Sequence, residues 1–225
     1  KNFKTNTGLF KLFNGTIKEV AFVDVDARNA GYASKPAVNY CAVIAAGYTR
    51  TGVANGMIQD VYVSVKSVDS SHYVGFIGNM NPGSTITIKD SIIVGKGDAF
   101  NKTTFNAVYG SVALSVDNAY LIGAYEFGGS LHGKVREDYE YLHLPDSIKD
   151  KYEKFASLED GITAYLNGTI VLSDWMDAVM EADLNIEKPQ PTTVSDYSIV
   201  IANGAAYNYV NAANDLQSFF TNRQA

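Results

Sequence analysis

Residues 17–25 read Ile17-Lys18-Glu19-Val20-Ala21-Phe22-Val23-Asp24-Val25, and three later segments share this short core. The related segments are Ile58-Gln59-Asp60-Val61-Tyr62-Val63-Ser64-Val65, Ile86-Thr87-Ile88-Lys89-Asp90-Ser91-Ile92-Ile93-Val94 and Leu114-Ser115-Val116-Asp117-Asn118-Ala119-Tyr120-Leu121-Ile122. Apolar residues alternate, or nearly alternate, with polar ones in each segment. This pattern predicts a β-strand with an inward apolar face and an outward polar face.

One polar residue interrupts the alternation at the same place in every segment. Aligned on Glu19, Asp60, Asp90 and Asn118, the segments recur at intervals of 41, 30 and 28 residues. A short polar side chain can bond to its own backbone at a bend, and Asn or Asp tolerates the left-handed conformation that corners often require. We therefore expect the chain to bend at these four positions.

A second apolar element that carries glycine precedes each segment. These elements are Gly8-Leu9-Phe10, Val43-Ile44-Ala45-Ala46-Gly47-Tyr48, Val74-Gly75-Phe76-Ile77-Gly78 and Val108-Tyr109-Gly110. Two strands per repeat, polar corners and stacking of like on like are typical of a solenoid. The sequence thus predicts a mainly β chain whose residues 1–130 form a right-handed parallel β-helix.

Two of the four repeats resemble a known repeat family. Gly8-Leu9-Phe10 followed by Gly15-Thr16-Ile17-Lys18-Glu19-Val20 is similar to the GLUG-type β-helix repeat of large surface and secreted proteins of Gram-positive gut bacteria, and Gly56-Met57-Ile58-Gln59-Asp60-Val61 fits the same pattern. The resemblance spans roughly residues 8–128. It implies an extracellular, secreted or cell-wall-attached protein, and it brings no catalytic residues with it.

The character of the chain changes after residue 130. Residues 131–187 are predicted to form a helical or irregular C-terminal cap, because the open end of a solenoid would expose strand edges. Helical spacing occurs over 148–155, and helix starts are predicted at Ser157 and Ser173. The second of these helices is expected to pack through Trp175, Val179 and either Met176 or Met180.

Residues 188–195 have the composition of a linker, and 196–225 are predicted to form a strand and a helix that either begin a further α/β domain or form an extra cap. The strand is Tyr197-Ser198-Ile199-Val200-Ile201, and the helix is expected from Tyr207 to Arg223. This pattern resembles the start of the α/β domain that precedes the barrel in α-glucuronidases and hexosaminidases. The resemblance implies that the chain is a piece of a larger protein with a glycosidase-like region.

The net charge of −6 argues against some partners. Nucleic acids and anionic membranes both require a concentrated basic surface, and no run of Lys or Arg occurs. No apolar stretch of 18 residues is present, so membrane insertion is not expected. The partners that the sequence favours are glycans or cell-wall polysaccharide and other domains of the same polypeptide.

Candidate catalytic residues are few. A polysaccharide-cleaving β-helix enzyme requires a carboxylate cluster and a basic residue, and the compact candidate is Asp24, Asp26 and Arg28. We interpret Asp24 and Asp26 as a solvated outer face, and the charged run 137–141 in the same way. The histidines are His72, His132 and His143, and they lack zinc-ligand spacing. No metal, cofactor or catalytic residue is predicted.

Tyr32 and Tyr48 are the candidate ligand-binding residues, because exposed aromatic rings stack on sugar faces. The sequence therefore favours a non-catalytic structural or carbohydrate-binding module. The alternative is a polysaccharide-processing lyase or glycoside hydrolase of the β-helix type. Carboxylates and a basic residue meeting in one groove would favour the enzyme.

Overall fold

A computed structural model describes residues 9–10, 13–27, 40–46, 55–68, 72–100, 105–124, 126–128, 146–187, 198–200 and 206–208. The chain forms two compact units, Lys1–Ile186 and Glu187–Ala225. The first unit is mainly β, as predicted. Its strands are β1 (Gly15–Ala27), β2 (Tyr40–Ala42), β3 (Ala45–Ala46), β4 (Asn55–Val68), β5 (His72–Gly95), β6 (Phe105–Ile122), β7 (Glu126–Gly128) and β8 (Tyr152–Phe155).

These strands form one parallel sheet in the order β1-β4-β5-β6-β7. The short strands β2 and β3 pair with β5, and β8 pairs with β6. The helices of this unit are α1 (Asp146–Lys149), α2 (Leu158–Leu166) and α3 (Asp174–Leu184), with a 3-10 turn at Gly97–Ala99.

The register of the long strands agrees with the alignment made from sequence. Ile17 pairs with Ile58, which pairs with Ile88, and Ile88 pairs with Val116. This register places Glu19, Asp60, Asp90 and Asn118 in neighbouring positions on successive strands. Like residues therefore stack on like across the sheet.

The bend predicted at those four positions is a left-handed backbone conformation. The φ angles are 55° at Glu19, 55° at Asp60, 48° at Asp90 and 49° at Asn118. A fifth residue within a strand, Asp24, has φ 54°. Four of the five are Asp or Asn, whose short polar side chains tolerate this conformation best.

Beyond the bend, β4, β5 and β6 are buried on both faces, which the alternating pattern did not predict. Residues 61–65, 91–95 and 119–124 are buried without interruption. One face meets the main apolar core, which includes Ile58, Ile88 and Phe105. The other face contributes to a second apolar cluster with the helical segment. Its buried members are Tyr62, Ile92, Val94, Tyr120, Ile122, Ala164, Tyr165, Ile170, Met176 and Met180.

The helices α2 and α3 begin where the sequence predicts. The Ser157 hydroxyl accepts a hydrogen bond from the Asp160 amide at 2.9 Å, which satisfies an end group of α2. In α3, Met176 and Met180 are fully buried, and Trp175 and Val179 pack beside them. Both helices cover the face of the sheet across β4, β5 and β6.

The helix predicted over 148–155 is wrong. Helix α1 ends at Lys149, and Tyr152–Phe155 forms β8, whose residues pair in parallel with Ala119–Ile122 of β6. The side chain of Tyr152 contacts the Phe127 ring at a centroid distance of 4.8 Å. Sheet pairing and this ring contact outweigh the weak helical spacing.

The second unit contains a short antiparallel pair, β9 (Ser198–Val200) and β10 (Ala206–Asn208). The predicted strand 197–201 is confirmed where the structure describes it. The helix predicted from Tyr207 is wrong at its start, because Tyr207 pairs with Ile199. The remainder of that predicted helix lies outside the described residues.

Candidate functional site

Most candidates named from the sequence lie outside the described residues. This holds for the aromatic residues Tyr32 and Tyr48, for Arg28, for His132 and His143, and for the charged run 137–141. His72 begins β5. The two candidates whose surroundings are described are Asp24 and Asp26.

Asp24 and Asp26 do not share a solvated face, which corrects the interpretation from sequence. The Asp24 side chain is 52% exposed, whereas Asp26 is only 7% exposed. Val23 is exposed and Val25 is buried, so the two valines also differ. The left-handed Asp24 and the register shifts between Phe22 and Asp26 break the two-residue period on which that interpretation depended.

Asp24 instead belongs to a polar cluster that the sequence did not indicate, formed by Asp24, Tyr62, Lys96 and Asp183. Lys96 Nζ lies 2.6 Å from Asp24 Oδ1 and 2.5 Å from Asp183 Oδ1. The Tyr62 hydroxyl donates to Asp183 Oδ2 at 2.7 Å. Only 18% of the Lys96 side chain and 3% of the Asp183 side chain are exposed.

Four elements bring these side chains together. Lys96 directly follows β5, and its amide donates to the Val65 carbonyl at 2.8 Å. The next residue, Gly97, has φ +49°, and a Cβ there would lie 2.9 Å from the Lys66 carbonyl oxygen, so only glycine fits the turn. The Asp24 amide of β1 donates to Ser64 Oγ of β4 at 2.9 Å. Asp183 lies in the last turn of α3.

The electrostatics of the cluster keep the Lys96 ammonium and the Tyr62 hydroxyl protonated. Burial by itself lowers the pKa of Lys96, but the hydrogen bonds to Asp183 and Asp24 outweigh it and raise the pKa overall. Burial, followed by the carboxylates of Asp183 and Asp24, raises the pKa of Tyr62 well above its ordinary value. Lys96 therefore stays protonated at neutral pH and is unsuited to act as a general base.

A second set of polar contacts joins the row of left-handed residues to the segment around α3. Asp60 accepts from the Ser173 hydroxyl at 2.6 Å and from Trp175 Nε1 at 2.8 Å. The Tyr120 hydroxyl donates to Asn118 Oδ1 at 2.5 Å and accepts from the Val171 amide at 3.2 Å. The polar corner residues thus help to hold the helical segment on the sheet.

The sequence carried little signal for the Asp24–Tyr62–Lys96–Asp183 cluster. The glycines of Gly95-Lys96-Gly97-Asp98 indicate a turn, and the structure has a 3-10 turn at Gly97–Ala99. Asp183 lies 87 residues after Lys96, so no local spacing relates them. A charged residue next to a turn glycine was the single available hint.

Within the part of the chain that the structure describes, no group of three or more His, Cys, Asp or Glu residues could hold a metal ion. No helix among those residues is long and apolar enough to cross a membrane. No family model, curated protein or solved structure matches the chain. The resemblances to a GLUG repeat and to a glycosidase domain therefore remain predictions.

Proposed function

We propose that the chain is a non-catalytic structural or binding module of a larger secreted or cell-surface protein, with its parallel sheet wound as a right-handed β-helix. Two rows of parallel bonding support the winding. One row is the stacked long segments, and the other runs through Phe10, Ile44 and Phe76. The Phe10 amide donates to the Ile44 carbonyl at 2.8 Å, and the Ile44 amide donates to the Phe76 carbonyl at 3.2 Å. Two strand rows per repeat are what a solenoid requires.

The bonding within the Asp24–Tyr62–Lys96–Asp183 cluster supports the non-catalytic part of the proposal. The cluster does bring together two carboxylates and an amine, those of Asp24, Asp183 and Lys96, as an acid-and-base site would require. The buried groups, Lys96 and Asp183, are however already bonded within the cluster. Both Asp183 oxygens are occupied, one by Lys96 and one by Tyr62. A lyase base must release its proton to accept one from substrate. Lys96 is held as a cation by two carboxylates, so the cluster favours a structural role.

A polar, partly exposed face on the strands before the bend supports a binding role. Successive strands place Lys18, Gln59, Lys89 and Asp117 in neighbouring positions. Strand spacing of about 4.8 Å sets these donors and acceptors in a regular row. Lys89 and Asp117 pair at 3.8 Å with 45% and 60% of their side chains exposed, so neither is withdrawn from solvent. A neutral or weakly charged polysaccharide suits such a row better than a polyanion.

The test is a binding and hydrolysis screen of the purified chain on a glycan array, with acidic polysaccharides included with and without calcium. We expect binding without turnover, with Gln59→Ala and Lys89→Ala each weakening the binding. Val171→Ala, at an exposed position in the helical segment, is the matched control and should leave it unchanged. If the wild type turns over any polymer and Lys96→Met abolishes that turnover, the alternative, a polysaccharide-processing enzyme, is established. If neither binding nor hydrolysis is detected, the role is reduced to that of a spacer.

A further inference from the structure

Lys96 and Asp183 place an amine and a carboxyl group in direct contact in a nearly closed environment. The contact distance is 2.5 Å, and the two side chains are 18% and 3% exposed. Two exposed Lys–carboxylate pairs are different: Lys89 and Asp117 are 3.8 Å apart, and Lys18 and Glu19 are 3.2 Å apart with at least half of each side chain exposed. Holding two reacting groups in contact turns a bimolecular step into a unimolecular one.

We propose that Lys96 and Asp183 join covalently, by an isopeptide bond between Lys96 Nζ and Asp183 Cγ. This would be a self-modification site that fastens the end of β5 to α3. The bond can form whether or not the chain binds glycans, so it does not depend on the proposed function.

The neighbours of the pair supply the groups that amide formation needs. Asp24 Oδ1 lies 2.6 Å from Lys96 Nζ, and the half-exposed Asp24 side chain can accept a proton from the amine and pass it on. The Tyr62 hydroxyl, 2.7 Å from Asp183 Oδ2, donates to the oxygen that becomes negatively charged when Cγ is attacked. Burial raises the pKa of Tyr62, so its hydroxyl keeps the proton that it donates.

Amide formation between Lys96 and Asp183 needs no added reactant. Lys96 rests as an ammonium, and the reaction passes through the minor state in which one of its protons has moved to Asp183 Oδ1, 2.5 Å away. The neutral amine then attacks Cγ, forming the C–N bond, while Tyr62 stabilises the charge on Oδ2. Asp24 moves a second proton from the nitrogen to Oδ1, the C–Oδ1 bond breaks, and water leaves. The products are a secondary amide and one water molecule, and Asp24 is a carboxylate again.

The environment favours the product. A buried ion pair keeps two charges away from water, and its desolvation penalty offsets much of its attraction. An amide in the same place carries no charge and retains Tyr62 as a hydrogen-bond donor to its carbonyl. The reaction therefore removes two buried charges, and the Asp24 carboxylate that remains is half-exposed to solvent.

The experiment is intact-mass spectrometry of the full chain, followed by fragmentation of its proteolytic peptides. We expect the chain to be lighter than its sequence by one water molecule, with a branched peptide that joins the Lys96 and Asp183 fragments. Lys96→Arg keeps the positive charge but has no reactive amine, and it should show the full sequence mass. Lys89→Arg, in the exposed pair, is the matched control and should keep the deficit. Asp24→Asn should slow the reaction, leaving a mixture of the two masses after expression.

Two results would overturn the proposal. One is a wild-type chain at full sequence mass that unfolds cooperatively, since the cluster would then be assembled and unreacted. The other is a deficit that persists in Lys96→Arg or maps to other residues, since a different dehydration would be its source. Poor folding of Lys96→Arg would not obscure the answer, because the branched wild-type peptide decides it. The result of the glycan screen is independent of this mass measurement.

Discussion

At the scale of single residues, the left-handed positions in the strands differ in how well their side chains suit the backbone. Asp60 and Asn118 use their side chains to bond neighbouring groups, so the conformation is supported. Glu19 has the same φ but a longer side chain, and its only ion pair described is an exposed one with Lys18 at 3.2 Å. A non-Gly residue in this region costs about 1–2 kcal/mol.

Replacing Glu19 with glycine should therefore relieve strain that alanine cannot relieve. We expect Glu19→Gly to be more stable than Glu19→Ala by about 1 kcal/mol, because glycine has no Cβ to crowd the carbonyl, while its flexibility in the unfolded chain offsets part of the gain. Urea denaturation of the two variants measures the difference. Equal midpoints would show that the bend at Glu19 is unstrained.

Tyr62 makes the stability depend on alkaline pH. Its folded pKa is raised by burial and by the carboxylates of Asp183 and Asp24, whereas its ordinary value is 10.0. Above that value the unfolded state has lost the proton that the folded state keeps, so the free energy of unfolding decreases as the pH rises. From about pH 10 upward, the wild type should lose up to about 1.4 kcal/mol per pH unit more than Tyr62→Phe.

Denaturant titrations of both proteins at several pH values test this slope, and the other tyrosines, present in both chains, cancel in the comparison. At neutral pH, Tyr62→Phe should be less stable by about 1–3 kcal/mol, because Asp183 Oδ2 loses its donor in a buried site. Parallel alkaline slopes for the two proteins would mean that Tyr62 ionises freely in the folded state.

At the scale of elements, the contact between α2 and β6 depends on a glycine within the helix. A Cβ on Gly161 would lie 2.6 Å from Ile122 Cδ1 and 2.8 Å from its Cγ1, and Ile122 is fully buried. The side chain of Ile122 cannot move aside without disturbing the second apolar cluster. The glycine therefore allows the close approach of helix and strand at some cost in helix propensity.

We expect Gly161→Ala to destabilise the protein by about 1–2 kcal/mol, because overpacking of about 1–3 kcal/mol exceeds the propensity gain of about 1 kcal/mol. Thr163→Ala, at an exposed position in the same helix, is the matched control and should be neutral or slightly stabilising. Thermal unfolding of both variants checks the order. A more stable Gly161→Ala protein would show that α2 can move away from β6.

At the scale of the whole molecule, the helical segment covers a face of the sheet that would otherwise expose large apolar residues. These are Tyr62, Ile92, Val94, Tyr120 and Ile122. Burying each such side chain contributes about 1.5–3 kcal/mol. The second unit, Glu187–Ala225, is compact by itself.

Two truncations should therefore behave differently. A chain ending at Glu187 should keep the cooperative unfolding of the first unit, whereas a chain ending at Ala156 should aggregate or bind a hydrophobic dye, because it lacks α2 and α3. Solubility, dye fluorescence and circular dichroism of the two chains make the comparison. A soluble, dye-free chain ending at Ala156 would show that the helices are dispensable.

Local physical preferences are what the sequence determined by itself. The register of the four long segments and the bends at Asp60, Asp90 and Asn118 followed from β-branched residues and from short polar side chains that tolerate a left-handed backbone. The start of α2 was predictable because the Ser157 hydroxyl and the Asp160 amide are three residues apart. Each of these signals is contained within a few neighbouring residues.

Only the tertiary structure decided which surfaces meet. It showed that residues 152–155 extend the sheet, that α2 and α3 cover the face of the strands beyond the bend, and that Lys96 meets Asp183 across 87 residues of chain. Such contacts depend on the packing of distant elements, and they leave no period or spacing in the sequence. The candidate cluster was hidden for that reason, although the segments that carry it were predicted.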